Sequence, residues 1–530
     1  MISKKINGRN YYYLARSARV DGRPRIVEQR YLGTADDIAA ALRGGPAKPT
    51  HVRRVSIGDV AAAWSIIDRL GLIRLVNAEV GRPSTAPSLG VYLAVAVLHR
   101  IAAPELAIDQ WWAGSAARTF FRPRVPMKSL GHKEFWRALG KIDDKTMARV
   151  ADGIQSSIRA RFSPRKAAAL VLDLPGVAGF TGADGSATTL AMGGVGVLAE
   201  LDGAIPIRSH PYRLAGSSDH GSAGVVQALA DSHPRPTTAI LDLAQLQQFW
   251  PTHGLHFIGA LPLGECPRSL ARASMRTLPA KRFDGVGVAE GRAEVLGARR
   301  RLLLLHSRPA HAAQALAFRQ SLALATRGLA GLATSLERGG FRPSRDVLNA
   351  EIDRIVRGAR IERALHTELE TVHGRPRLSW HLRENAVRKL HDDVFGRQLL
   401  VTDHDDWPAA DVLAGYRTRF YVESTLRQFD IPFVRAPALN WRWTDDRIAV
   451  HCFIGVLATT VAHLMRREAA ATGTDLSVRD LLTLLRGIEV SELRHSSTGG
   501  RPRTTRVLNE LDPMRQRLFD VFELAKFVHH

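Results

Sequence analysis

Three short runs in this chain are almost wholly apolar, and two of them stop at an aspartate. Lys166–Gly176, KAAALVLDLPG, reads as a strand ending in Asp173, and Thr238–Leu241 reads as a strand ending at Asp242. Leu255–Leu261, LHFIGAL, supplies a third. Val195–Leu201 and Ile205–Leu214 flank the turn pair Asp202-Gly203 as a hairpin, and Ser222–Asp231 has helical periodicity. Three strands, a helix, and more strands interleaved with helices predict an α/β sheet, because runs this apolar need cover by helices.

The rest of the chain divides around that sheet. Residues 1–48 read as a basic β-hairpin segment, since Asn10–Leu32 places two β-prone runs around Asp21-Gly22. Its arginines are candidates to meet phosphates, and a ribbon packed on the next domain is an equal alternative. Residues 49–165 carry apolar positions every three or four residues and predict a helical domain. The sheet occupies 166–262, and 263–400 reads as an inserted mixed subdomain with strands at Val295–His306 and Arg377–His381 around helices in the 311–370 region. Residues 401–470 hold a helix over Pro408–Asp430 and a second, apolar one over Arg447–Arg467. A helical C-terminal region, 471–530, includes the basic loop STGGRPRTTR.

Lys and Arg number 74 against 51 Asp and Glu, a net charge of +23 at a sequence pI near 10.8. Such a balance suits a polyanion, nucleic acid first, although RNA, ribosomes and anionic membrane surfaces attract the same charge. The only cysteines, Cys266 and Cys452, are far apart, which supports neither a disulfide framework nor a cysteine zinc site. The N-terminus MISKKINGRNYYY has no apolar core followed by a cleavage site, so a cytoplasmic, nucleoid-associated protein is expected. Ile448–Met465 is the most membrane-like stretch, but His451 and His463 favour a buried core helix, and no membrane partner is expected.

Asp173 and Asp242 each end an apolar strand, where an open α/β sheet exposes side chains to a crevice. Tyr416, Arg419, Glu423 and Arg427 recur at spacings of three or four and share one face of a helix. Three carboxylates from separate elements suit a pair of Mg²⁺ ions, because hard cations take oxygen ligands. Two such ions, roughly 3.5–4 Å apart, assist in-line displacement at phosphorus. Taken singly, each acid has a plainer reading as a turn former, helix cap or surface ion-pair partner.

The segment YRTRFYVESTLRQFD, Tyr416–Asp430, resembles the Y-x2-R-x3-E-x6-K signature of bacterial insertion-sequence transposases with an Asp-Asp-Glu active site. Tyr416, Arg419 and Glu423 match, whereas Asp430 stands where the family has Lys. FWRAL at 135–139, VLDLPG at 171–176, GSSD at 216–219, ILD at 240–242, HFIGALP at 256–262 and WTDDRIAVHCF at 443–453 resemble the family's segments in the family's order. The resemblance implies a ribonuclease H-like α/β catalytic core, an inserted mixed α/β subdomain between the second aspartate and the glutamate, and a helical N-terminal domain for DNA binding or dimerisation. It implies Asp173, Asp242 and Glu423 as catalytic metal ligands for two Mg²⁺ or Mn²⁺ ions. Tyr416, Arg419 and Arg427 would touch DNA. Its partners would be transposon-end DNA, target DNA and a second copy of the chain. The alternatives are a catalytically inactive or domesticated DNA-binding protein of the same fold and a nuclease that cuts without joining. Leu174-Pro175-Gly176 after Asp173, Leu243-Ala244 after Asp242 and the reversed charge at Asp430 all depart from the family pattern.

Three other features have plainer readings. Gly194–Ala199 mimics a dinucleotide fingerprint but reads as turn material. His404-Asp405-Asp406 has metal-ligating residues but reads as a polar loop, and Trp407, Trp441 and Trp443 read as packing between helices.

Overall fold

Along the chain the first regular element is an antiparallel sheet, β1 (Ile2–Ile6), β2 (Arg9–Val20) and β3 (Arg23–Gly33). The computed structural model describes residues 1–6, 8–20, 23–44, 49–81, 87–162, 169–175, 192–213, 222–233, 237–241, 255–338, 344–358, 360–372, 375–430, 445–495 and 503–528. The chain divides into two units, Met1–Ser163 with Arg427–Arg435 and Thr444–His530, and Pro164–Leu426 with Ala436–Trp443.

In the first unit β3 gives way to the helix Ala35–Gly44 through a reciprocal cap. The Thr34 amide and hydroxyl donate to the Asp37 carboxylate at 2.8 and 2.9 Å, and the Asp37 amide donates back to the hydroxyl. After β4 (His51–Ser56) come the helices Gly58–Leu70, Leu72–Val80, Leu89–Ala102, Ile108–Gly114, His132–Leu139 and Asp144–Phe162, as the periodicity predicts. Gly71, at φ 72°, breaks the first two apart, and Ser88 caps the Leu89 helix by accepting from the Val91 amide.

The second unit begins with β5 (Ala169–Pro175), β6 (Met192–Glu200) and β7 (Ile205–Arg213), which pair antiparallel in succession. The helix Ser222–Asp231 follows, then β8 (Thr237–Leu241) and β9 (His256–Leu261). β8 lies parallel to β5, and β9 parallel to β8. Gly203, at φ 89°, turns β6 into β7. Gly196 has an equally direct reason: a Cβ there would lie 2.5 Å from Val225 and 2.9 Å from Leu229 of the helix. Gly194–Ala199 is thus part of β6 and not turn material, and its middle glycine lets helix and sheet approach.

The chain continues through β10 (Arg276–Thr277), β11 (Val286–Val295) and β12 (Ala298–Ser307) into the helices Arg308–Glu337 and Arg345–Val356. It then forms the hairpin of β13 (Leu365–Val372) and β14 (Arg375–Leu382), the helix Glu384–Asp393, β15 (Arg397–Thr402) and the helix Ala409–Asp430. Among the described residues β10, β11, β12 and β15 join the central sheet, whose order is β10-β11-β12-β15-β9-β8-β5-β6-β7. Residues 263–400 therefore have two destinations. Four strands extend the sheet, with Leu304 opposite Leu399 and Leu400 opposite Ala260, while Phe318, Leu329, Leu348, Ile352, Leu378 and Phe395 build a separate core. The strand expected over Val295–His306 is the second arm of a hairpin, and Leu365–Val372, expected within helices, is a strand paired with β14.

Returning to the first unit, the helix Asp445–Ala471 packs against Gly58–Leu70 and Leu89–Ala102, with Ile66, Leu93, Leu98, Leu464 and Met465 buried. Its segment Ala449–Ala471 is long and apolar enough to cross a membrane, with mean hydropathy 1.4, yet 89% of its most apolar 18-residue window is buried in the protein, as a core helix requires. After the helix Val478–Arg486, β16 (Glu489–His495) pairs on one side with β4 and on the other with β17 (Arg503–Leu508). Part of the expected basic loop, Arg503–Arg506, is strand, and the helix Pro513–Val521 follows.

Candidate functional site

The strands that carry the two aspartates are direct neighbours. Leu172 of β5 stands opposite Ile240 of β8 in parallel register, so the backbone of Asp173 is level with Leu241, the residue before Asp242. On its other side Asp173 pairs with Gly196 of β6. The side chain of Asp173 and the whole of Asp242 lie outside the described residues, as do Trp441, Trp443 and GSSD at 216–219.

Glu423 lies on the helix Ala409–Asp430, which packs on this same sheet. A Cβ on Gly415 would sit 2.9 Å from the Ile258 side chain of β9 and 3.9 Å from Leu170 of β5. By strand alternation, Leu170 and Ile258 share one face and Gly196 belongs to the other. The sheet therefore has Ala409–Asp430 against one face and Ser222–Asp231 against the opposite one, which is why its strands are apolar throughout. Along Ala409–Asp430, Gly415, Val422, Thr425 and Phe429 are buried. Tyr416, Arg419 and Glu423 form a half-buried stripe beside them and Arg427 an exposed continuation. The three acids thus come from two neighbouring strands and a helix resting on their sheet, but by the same alternation position 173 belongs to the face of Gly196, opposite the helix of Glu423.

A second group of chemically capable residues was not assembled by reading along the chain. Ligand atoms of His256, Asp403 and His404 lie within 4.8 Å of one another. Asp403 accepts the Phe257 amide at 2.9 Å and faces His256 Nδ1 at 3.3 Å. His404 Nε2 is 2.8 Å from the Thr238 hydroxyl, and its ring is stacked between His256, at 4.4 Å, and Trp407, at 4.0 Å. Burial, and then the neighbouring His256, push the His404 pKa below the ordinary imidazole value. Stacked rings aim their nitrogen lone pairs side by side, and Thr238 already occupies one nitrogen, so this geometry suits a packed hydrogen-bonded junction better than a chelate. Of the residues read together in sequence, Asp405 instead pairs with Arg292 at 2.7 Å. Trp407 packs on His404 in the loop before the helix.

That junction anchors the start of the helix Ala409–Asp430. Arg301 of β12 donates through Nη1 to the carbonyl oxygens of His404 and Trp407, at 2.8 and 2.7 Å, while its Nε meets Glu290 at 3.0 Å. No local sequence signal marks Arg301's hold on this loop, because the carbonyls it binds lie about a hundred residues further on.

Comparison with protein-family models, with curated proteins and with solved structures finds no match to this chain.

Proposed function

We propose that the protein is a metal-dependent DNA transposase of the Asp-Asp-Glu kind, built on a ribonuclease H-like core. The observation that carries this reading is topological: strand order β7-β6-β5-β8-β9, three antiparallel strands followed by a helix and two strands parallel to the first. Asp173 belongs to the central strand of that set, Asp242 follows its parallel neighbour, and Glu423 is on a helix laid across the same strands. The net charge of +23 supports a nucleic-acid substrate.

The donor set is chemically suited to Mg²⁺ or Mn²⁺, because all three candidate ligands are carboxylates. Asp173, Asp242 and Glu423 would hold two such ions, which when bound supply activation of the attacking oxygen and stabilisation of the leaving one. Arg419 and Arg427 neutralise phosphate charge beside Glu423, and Tyr416 contacts the DNA end. In this reading a phosphodiester is hydrolysed at each element end and the freed 3′-hydroxyl then attacks target DNA. Two ends require two copies of the chain, and the work is done in the cytoplasm on the nucleoid.

A non-catalytic DNA-binding protein of the same fold is the second reading, favoured by Asp430 at the family's lysine position. The test is cleavage and strand transfer with Mg²⁺ or Mn²⁺ for wild type, Asp173→Asn, Asp242→Asn and Glu423→Gln, alongside metal titration. Loss of both activities and of metal affinity in every variant, with DNA binding retained, supports the transposase. Equal metal affinity in all four proteins rejects it.

A further inference from the structure

We infer that the N-terminal ribbon of β2 and β3 is an arm that enters the major groove of duplex DNA. The inference rests on the DNA-binding reading above and adds the surface that meets the duplex.

The arm is defined by where β1 stops. β1 pairs only with Arg9–Tyr13, so Leu14–Val20 of β2 and Arg23–Arg30 of β3 continue as a two-stranded ribbon. At 3.4 Å per residue its seven β2 residues extend about 24 Å. Among the described residues of this ribbon none is buried, and Leu14 and Ile26 are 55% and 54% exposed. A two-stranded ribbon is marginal by itself in water. This one is supported at its base, where β1 pairs with β2, Tyr13 and Tyr31 pack at 5.2 Å, and the capped helix Ala35–Gly44 follows β3.

Charge identifies the occupant. The first 33 residues contain eight Lys or Arg and two Asp or Glu, a net +6. The other 497 residues carry the remaining +17 of +23, so the charge density here is about five times higher. Arg16 pairs with Glu28 at 3.3 Å across the ribbon, both exposed to solvent. Among the described residues Lys5, Arg9, Arg25 and Arg30 make no ion pair. A ribbon two strands wide, exposed on both faces and edged with arginines, matches a major groove about 12 Å across lined by phosphates.

The experiment measures affinity of the full-length chain for a mixed-sequence DNA duplex by fluorescence anisotropy across a salt series. Wild type is compared with Arg16→Gln/Arg25→Gln/Arg30→Gln. A control loses equal charge from another exposed surface, Arg319→Gln/Arg327→Gln/Arg338→Gln. The arm variant is expected to bind at least tenfold more weakly, with a slope of log affinity against log salt shallower by about 0.9 for each phosphate left unneutralised. The control is expected to keep the wild-type slope. Equal losses in the two variants, an unchanged slope in the arm variant, or stronger binding to single strands than to duplex would each overturn the inference while leaving DNA binding intact. Failure of wild type to bind DNA at all would instead overturn the reading on which it rests.

Discussion

Arg301 Nη1 donates to the Trp407 carbonyl oxygen at 2.7 Å, which ties β12 of the central sheet to the last turn before the helix of Glu423. The same guanidinium reaches the His404 carbonyl and the Glu290 carboxylate, and only 12% of the side chain is exposed. Arg301→Met fills similar volume but leaves these carbonyls without their donor. Destabilisation of about 1–3 kcal/mol is expected, measured by urea unfolding, because a desolvated carbonyl loses water without regaining a partner. Hydrogen exchange at Val412 and Leu413 should also quicken. Unchanged exchange there would show that the helix start does not depend on Arg301.

Gly58 offers a test of close packing in the first unit. A Cβ there would lie 2.2 Å from the Leu485 carbonyl oxygen and 2.8 Å from Ile488 Cβ. Backbone cannot swing aside as a side-chain tip can. Gly58→Ala should therefore destabilise by about 1–3 kcal/mol, despite the better helix propensity of alanine. An equal or higher melting temperature in the variant would contradict this.

His99 predicts a loss of stability in mild acid. Burial, and then Arg100, lower its pKa from 6.5 to about 4, against the opposing effect of its 2.9 Å contact with the Leu106 carbonyl. The unfolded chain takes up a proton below pH 6.5 that the folded protein refuses until about pH 4. The contribution is thus complete above the unfolded value and is lost as pH falls through that window. His404 and His451 are shifted in the same direction, burial being the first cause for both. Melting temperature should be lower near pH 5 than near pH 7.5, and His99→Gln should reduce the difference. A difference of undiminished size in His99→Gln would remove His99 from the explanation.

Asp430 puts an acid where related signatures hold lysine, at the end of the helix Ala409–Asp430. Asp430→Lys is expected to tighten DNA binding and to steepen the salt slope by about 0.9, the effect of neutralising one further phosphate. No change in slope would mean that this position does not face the nucleic acid.

The strands from β5 to β9 and the helix among them were legible because each is a local pattern. Apolar runs of four to eight residues, a turn pair at Asp202-Gly203 and a change of period around Ser222 suffice to place them. The helix that carries Glu423 was legible for the same reason, through the spacing of Tyr416, Arg419 and Arg427. The reach of the sheet was not. β12 meets β15, and β15 meets β9, across long stretches of intervening chain, and nothing near Leu304 specifies Leu399 as its partner. β4 was missed likewise, since its pairing with β16 joins Val55 to Val490.

By itself the sequence determined the strands and helix from β5 to β9, the helices on either side of them, the excess of positive charge, and the three acids worth testing. These follow from side-chain chemistry and periodicity over a few residues. Only the tertiary structure decided that four of the six described strands between Pro262 and Asp403 extend one sheet, that His256 stacks on His404, and that Arg301 holds the loop before Ala409. Each of those depends on hydrogen bonding and burial between residues distant in the chain, where cooperative packing, and not local propensity, selects the partner.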